Sequence, residues 1–461
     1  MKNRYSSIFF LGVISWCCNV AYAVPHTLKS MTDSELSAAT GQALMSLSYV
    51  APTDLANQEA KRAGGDKTIG FYKLGLEAEM ELNVNIKKLQ LGCGGVNGTG
   101  GCDIDIDYLS LSGLGNSATS NTDSATDRAA RAGSSAVLTN PFIEFAIKNP
   151  DKASTRQIVG LNLSAEKALG LITFGLENGA GKSGINSLSG YMEIAATTGI
   201  ANVNGFGTSL VAGEAAKGTL NQSDGYNAIT GRACCVIGFP IGFTTTAYAL
   251  NLRDKATGSN ILKGDLVLGQ QPITGKRITS ANLTATAKVR DIELSGKLSA
   301  KAAGIINLDN KDASGLIKNL TVDVAINEDL GFFHKANLNG TAASLSLQSQ
   351  NIQWSNNKSV SQNGWWLEFT NPIDIGFIQP TLAVDIPKAT LNEAFKQVSD
   401  FLYANPVQCG GVLAENCLLG NAIPVGTVDL INATRPQMAL TNLELATQKF
   451  TPNCYGTLKF C

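Results

Sequence analysis

Histidine is almost missing from this sequence: 461 residues contain two, His26 and His334. That leaves little material for a Ser-His-Asp triad, a Cys-His pair or a multi-histidine metal site, and His334 reads as an ordinary loop histidine. Charge is sparse at 16% of residues and nearly balanced, with 36 basic against 37 acidic side chains. No basic patch points to nucleic acid. Aromatic residues supply only 7%. Past the first two dozen residues, no stretch approaches the roughly 18 uninterrupted apolar residues of a membrane-crossing helix, so no transmembrane anchor is expected in the mature chain.

The opening residues are of a different kind. Lys2 and Arg4 precede an apolar stretch, Ile8 to Trp16, and the small-residue triplet Ala21-Tyr22-Ala23. This is the pattern of a secretory signal peptide over residues 1–23, with cleavage expected after Ala23. Cleavage removes two cations and no anion, so the mature chain becomes more acidic than its formal net of −1. Cys17 would suit a lipoprotein, but Trp16 stands where lipidation needs a small residue.

Cysteine is plentiful by contrast. Ten are present, and those beyond Cys17 and Cys18 are even in number, as expected where disulfides persist. Cys93 and Cys102, Cys409 and Cys417, and Cys454 and Cys461 each bracket a short turn-like segment, and local pairs need the least chain closure. Cys234 and Cys235 are adjacent, and three states stay open for them: a vicinal disulfide, pairing with a partner chain, or free thiols. Zinc is disfavoured, since no pair has knuckle spacing.

Alternation with a period of two dominates the mature sequence. Leu74, Leu76, Ala78, Met80, Leu82, Val84 and Ile86 alternate with polar residues and then change parity at Leu89 and Leu91, as for a long strand with a bulge near Lys87 and Lys88. The pattern recurs at Leu283, Ala285, Ala287 and Val289, shifting to Ile292, Leu294 and Leu298 across Arg290 and Asp291. Shorter runs lie at Val159 to Ala165, Leu320 to Ile326 and Ala343 to Leu347. One face is expected apolar, the other wet. A short helix is marked near the mature amino terminus by Thr32, Glu35 and Gly41, with Met31 placed to staple onto Leu36. An amphipathic helix near the carboxyl terminus carries Leu391, Ala394, Phe395, Val398, Phe401 and Leu402, with Thr390 and Glu393 as a capping box and Pro406 closing it.

The expected fold is therefore mainly β, with long, bulged, largely antiparallel strands in a curved sheet or large sandwich, plus these two helices. Its divisions are a signal peptide at 1–23, a helical motif at 24–45, an elongated β region at 46–389 with a polar loop at 115–136, and at 390–461 the amphipathic helix with disulfide-closed hairpins. A second loop is expected at Ser355 to Gly364.

Candidate chemistry is thin. "GLENGAGKS", Gly175 to Ser183, evokes a phosphate loop, but Leu176 stands where its first glycine belongs. Asp103, Asp105 and Asp107 alternate like an acidic ladder for calcium, yet carboxylates on a solvent face explain them as well, and the turn glycine and closing glutamate of an EF-hand are missing. Trp354, Trp365 and Trp366 are possible interaction aromatics, with core packing the default. No catalytic, metal or cofactor residues are assigned, and the chain is read as a non-enzyme.

The segments "TDSELSAATGQALMSLSYVAP", "IGFYKLGLEAEMELNVNIKKLQLGCGG" and "CDIDIDYLSLSG" resemble the FilA family of proposed pilus subunits. The opening helix with "TGQ" is also similar to the wider DUF6160 family of exported proteins. The resemblance covers Met31 to Gly113 and implies a pilus-associated or adhesive subunit at the cell surface, with other envelope or pilus subunits as partners, and host or matrix surfaces beyond them. It transfers no catalytic residues, and the chain departs from ordinary pilins in lacking a prepilin site ahead of a long apolar helix. The alternative is a periplasmic or surface protein binding lipid or another hydrophobic ligand in a curved β groove. An outer-membrane barrel is disfavoured by the Lys, Asp and Glu interleaved in the long runs.

Overall fold

The computed structural model describes residues 44–114, 130, 133–175, 182–205, 220–234, 239–304, 306–408, 422–441 and 443. The signal peptide, the helix expected at Thr32 to Gly41, most of the polar loop at 115–136, and the cysteine pairs 409/417 and 454/461 lie outside them. Among the described residues, strands form sheets of thirteen, six and seven members. The fold is mainly β, as the alternation implies. No helix here is long and apolar enough to cross a membrane.

The six-stranded and seven-stranded sheets are built together. The smaller runs Ala383–Asp385, Thr197–Asn204, Ile261–Leu268, Ser280–Val289, Thr321–Asp329, Gln437–Thr441, and the larger runs Val407–Gln408, Thr230–Cys234, Ile241–Asp254, Ile292–Ala302, Ile306–Lys318, Ile423–Asp429, with its seventh strand, Leu220–Asn221, paired to Ile241–Asp254 off this path. Position by position, each strand is the near chain neighbour of its counterpart. The chain thus repeatedly steps from one sheet to the other, and the alternating apolar residues of both enter one core, including Leu250, Leu266, Leu283, Leu294 and Val322. Pairing is antiparallel within each sheet except at its margins, where Ala383–Asp385, Val407–Gln408, Ile423–Asp429 and Gln437–Thr441 add in parallel.

This explains one misreading of periodicity. The parity change at Arg290 and Asp291 is not a bulge: Ser280–Val289 ends there in one sheet and Ile292–Ala302 begins the other. A two-residue crossing turns the apolar face toward the same core from a new side. The Leu74 run is likewise three strands, Ile69–Leu76, Glu79–Leu82 and Val84–Leu91. The last pairs with Ile104–Ser112 in unbroken register from Val84↔Leu111 to Leu91↔Ile104. No extra residue sits at Lys87; the irregular backbone lies opposite, at Tyr108, with φ 49°.

The carboxyl-proximal helix spans Lys388–Ala404 and starts earlier than the capping box implies, with Pro387 as its N-cap. The Thr390 hydroxyl instead donates to the Thr434 carbonyl. The apolar stripe of Leu391, Ala394, Phe395, Val398 and Leu402 is fully buried against Thr230–Cys234 and Ile423–Asp429, strands near opposite margins of the larger sheet. Side chains complete the seam. Gln397 Nε2 donates to Asp429 O at 2.7 Å and Gln397 Oε1 accepts from Asp429 N at 2.9 Å, while Ser399 Oγ accepts from Thr230 N at 3.0 Å. In the smaller sheet, Ala383–Asp385 touches Gln437–Thr441 and brings its margins together. Both sheets are nearly closed.

One core carboxylate has a pH consequence. Glu328 is 1% exposed, with Oε2 lacking a hydrogen-bond partner among the described residues. Burial pushes its carboxyl from 4.5 up to about 7. A carboxyl with a raised folded-state pKa binds its proton more tightly when folded, so its stabilising contribution is full below pH 4.5 and lost as pH rises toward 7. Glu328→Gln should therefore gain stability over the parent from pH 5 to pH 8, by on the order of 2 kcal/mol at the upper end. Denaturant unfolding at the two pH values checks it.

Candidate functional site

In the thirteen-stranded sheet, Met45–Val50, Ile69–Leu76, Ala136–Lys148, Gln157–Leu169, Ser344–Gln348 and Gly364–Ile373 lie side by side. Their register gathers bulky apolar residues into rows. Leu47, Leu74, Ile143, Leu163, Leu345 and Leu367 stand opposite one another across all six strands. Two residues along, Tyr49, Tyr72, Phe145, Leu161, Leu347 and Trp365 make a parallel row, in which the Tyr49 and Tyr72 rings stack 4.3 Å apart.

Side chains alternate along a strand, so the residues in between face the other way. They are polar: Glu144, Asn162, Ser346, Gln348 and Glu368, together with Trp366. Residues 349–363 lie over this side, with Trp354 as the central plug. Trp354 Nε1 donates to Gln348 Oε1 at 3.4 Å, Asn162 Nδ2 and Ser355 Oγ donate to Glu144 at 3.3 Å, and Trp366 Nε1 donates to Ser359 Oγ at 3.1 Å. Burial pushes the Glu144 and Glu368 carboxyls up.

The result reverses the expected arrangement of an apolar face inside and a polar face wet. Glu144, Asn162 and Glu368 are 4%, 0% and 0% exposed, whereas Leu47, Ile143 and Leu163 are 72%, 37% and 38% exposed. Around Leu163, Leu345 and Leu367 the apolar face deepens into a cavity of about 670 Å³, completed by Met80, Leu82 and Leu111. Its lining is almost wholly aliphatic, and its volume falls within the roughly 300–1,000 Å³ usual for small-molecule sites. No family model, curated protein or solved structure matches the chain.

None of the candidate residues singled out in the sequence lines the cavity. Trp354 and Trp366 are buried at 0% and 1% exposure, and Trp365 is half-buried in the second apolar row. Cys93 and Cys102 form a disulfide. Cys234, ending the strand Thr230–Cys234, is also disulfide-bonded; Cys235, Cys409, Cys417, Cys454 and Cys461 lie outside the described residues. Most of the phosphate-loop-like segment does too. His334 sits in a connecting segment but is buried, its Nδ1 3.0 Å from Phe174 O.

The aspartate series divides. Lys88 Nζ lies 2.5 Å from Asp105 and 2.9 Å from Asp107, and Asn186 Nδ2 bridges the same two carboxylates at 2.9 and 2.7 Å. Asp103 is not a solvent-face carboxylate: it is 3% exposed and accepts from Trp365 N and Asn97 Nδ2, each at 3.1 Å. The disulfide turn draws it inward, where it joins two elements of the sheet. Among the described residues, no group of His, Cys, Asp or Glu is placed to hold a metal.

Sequence reasoning missed the Leu and Ile row. Its local signal is a bulky apolar pair two residues apart on each strand, such as Ile143/Phe145, Leu161/Leu163 and Leu345/Leu347. Strands far apart in the chain had to be put in register before the pairs became one surface.

Proposed function

We propose that this exported chain binds hydrophobic small molecules, taking an acyl-chain amphiphile against the apolar face of its largest sheet. One observation carries the reading: the in-register row from Leu74 to Leu367 floors a cavity of about 670 Å³ while Glu144, Asn162 and Glu368, on the other side of the same sheet, are buried. Exposing aliphatic side chains and burying carboxylates costs stability, and a ligand that covers the apolar side recovers part of that cost. The test is extraction of the full secreted chain with organic solvent followed by mass spectrometry, then titration of the stripped protein with the neutral probe N-phenyl-1-naphthylamine. Co-purifying acyl lipid and saturable probe binding are expected. Failure of both sinks the reading.

A second reading, a pilus-associated or adhesive surface subunit, follows from the FilA resemblance and has one structural observation in its favour. Met45–Val50 ends the sheet with its outer side unpaired among the described residues, and it carries exposed Leu47. Such an edge is suited to accept a strand from another subunit. Mild shearing of intact cells should then release the protein together with filament components. Recovery only in the soluble periplasmic fraction would count against it.

A further inference from the structure

Strand register gives the apolar cavity its shape. Two residues along from Leu74, Ile143 and Leu163, on the side away from the Tyr49 row, the same strands carry Leu76, Pro141 and Ala165. Ala343 stands in the same relation to Leu345, and Met45 is paired with Leu76. Pro141 and Ala165 face each other. Small side chains in the middle of this second line leave a trench beside the leucines, and Met80 and Leu138, paired with each other further along, make its other bank. All of these residues line the cavity.

The trench crosses the strands instead of following them. It starts at Met45, which is 57% exposed on the marginal strand Met45–Val50. It ends at Leu367, which is half-buried and beyond which the sheet continues through Gly190 of the strand Ile185–Ile194. The five strand-to-strand steps between them, at about 4.8 Å each, make it roughly 24 Å long. An extended carbon chain advances about 1.2 Å per bond, as an extended backbone does, so a trench of that length takes about twenty carbons. Volume gives the same answer. A methylene is close to a water molecule in size, about 30 Å³, and a cavity of about 670 Å³ holds about twenty of them. One chain satisfies both length and volume, and no room is left for a second.

The lining offers nothing to a polar head. Its hydroxyls belong to Ser164 and Ser344, and both donors are engaged within the protein, Ser164 Oγ with Ala343 O at 3.0 Å and Ser344 Oγ with Asn357 Oδ1 at 3.1 Å. Among the described residues no charged side chain lines the cavity. A head drawn inside would lose its water without replacement. We infer that the trench is a length gauge for one unbranched alkyl chain of about twenty carbons, laid across the strands with its methyl end at Leu367 and its head in water beside Met45. This rests on the apolar-ligand reading above and adds to it the length of the tail, its direction and the exclusion of the head.

The test is displacement of N-phenyl-1-naphthylamine from the stripped full chain by lysophosphatidylcholines with saturated tails of ten to twenty-four carbons, referred to free monomer concentration. Each two added carbons should tighten binding by up to about tenfold, and the gain should stop at about eighteen to twenty-two carbons. Monoacylglycerols with the same tails should give the same plateau and affinities within about threefold, less than one hydrogen bond to the head would add. Ala343 is half-buried and lies one strand short of the closed end. Ala343→Leu should therefore stop the chain early and lower the plateau by about four carbons. Parent-like affinity for the ten-carbon ligand shows that the variant is folded, and the parent series decides alone if it is not. A parent plateau elsewhere, affinity still rising at twenty-four carbons, a larger head preference, or an unchanged plateau in the folded variant overturns the length gauge and leaves the apolar site standing. Absence of any probe binding overturns the reading on which it rests.

Discussion

Leu163→Asp is expected to weaken binding of a neutral apolar probe by roughly tenfold or more while the protein still folds. Leu163 stands at the middle of the aliphatic row, opposite Ile143 on one side and Leu345 on the other. At 38% exposure its side chain reaches solvent in the unliganded protein, so a carboxylate there can stay hydrated. An alkyl chain laid along the row would strip that water with no cation to replace it, since the row holds only aliphatic residues. The substitution thus penalises the bound state far more than the free one. Probe titration alongside far-ultraviolet circular dichroism separates the two effects: lost binding with an unchanged spectrum is the expected outcome, and unchanged binding would place the ligand elsewhere.

Trp354→Ala should have the largest effect on stability, a loss of about 4 kcal/mol in the unfolding free energy. Trp354 is 0% exposed and packs with Phe71 at a ring-centroid distance of 5.6 Å, and with Ile352 and Val159 in a cluster separate from the main core. Gly160 leaves the room it occupies: a Cβ there would come within 2.9 Å of the indole. Removing the ring opens a void and takes from Gln348 Oε1 its indole donor. Guanidinium unfolding of parent and variant measures the loss. A change below about 1 kcal/mol would mean that residues 349–363 cover the polar side without the tryptophan.

Much of the architecture is legible in local pattern because alternation is a local property. Leu283 to Val289 and Leu320 to Ile326 announce strands since every second residue must enter a core, and Leu391 to Leu402 announces a helix since its stripe recurs at helical spacing. The same reasoning goes wrong where one periodic run serves two sheets, as at Arg290 and Asp291. A change of parity looks alike whether a residue is inserted or the strand changes partners; only the pairing of Ile292–Ala302 with Ile241–Asp254 distinguishes them.

The alternating segments Ile143 to Phe145, Leu161 to Leu163 and Leu345 to Leu347 determine by themselves that one side of the sheet is apolar and the other carries Glu144, Asn162 and Ser346. They do not determine which side faces water. That was decided when residues 349–363, distant in sequence from most of these strands, folded over the carboxylates with Trp354 and Trp366. Hydrogen bonds satisfied the polar side there, and the aliphatic row was left facing a cavity. Alternation is written into each strand, but the layer that covers a sheet is a long-range contact, and no short segment of the chain encodes it.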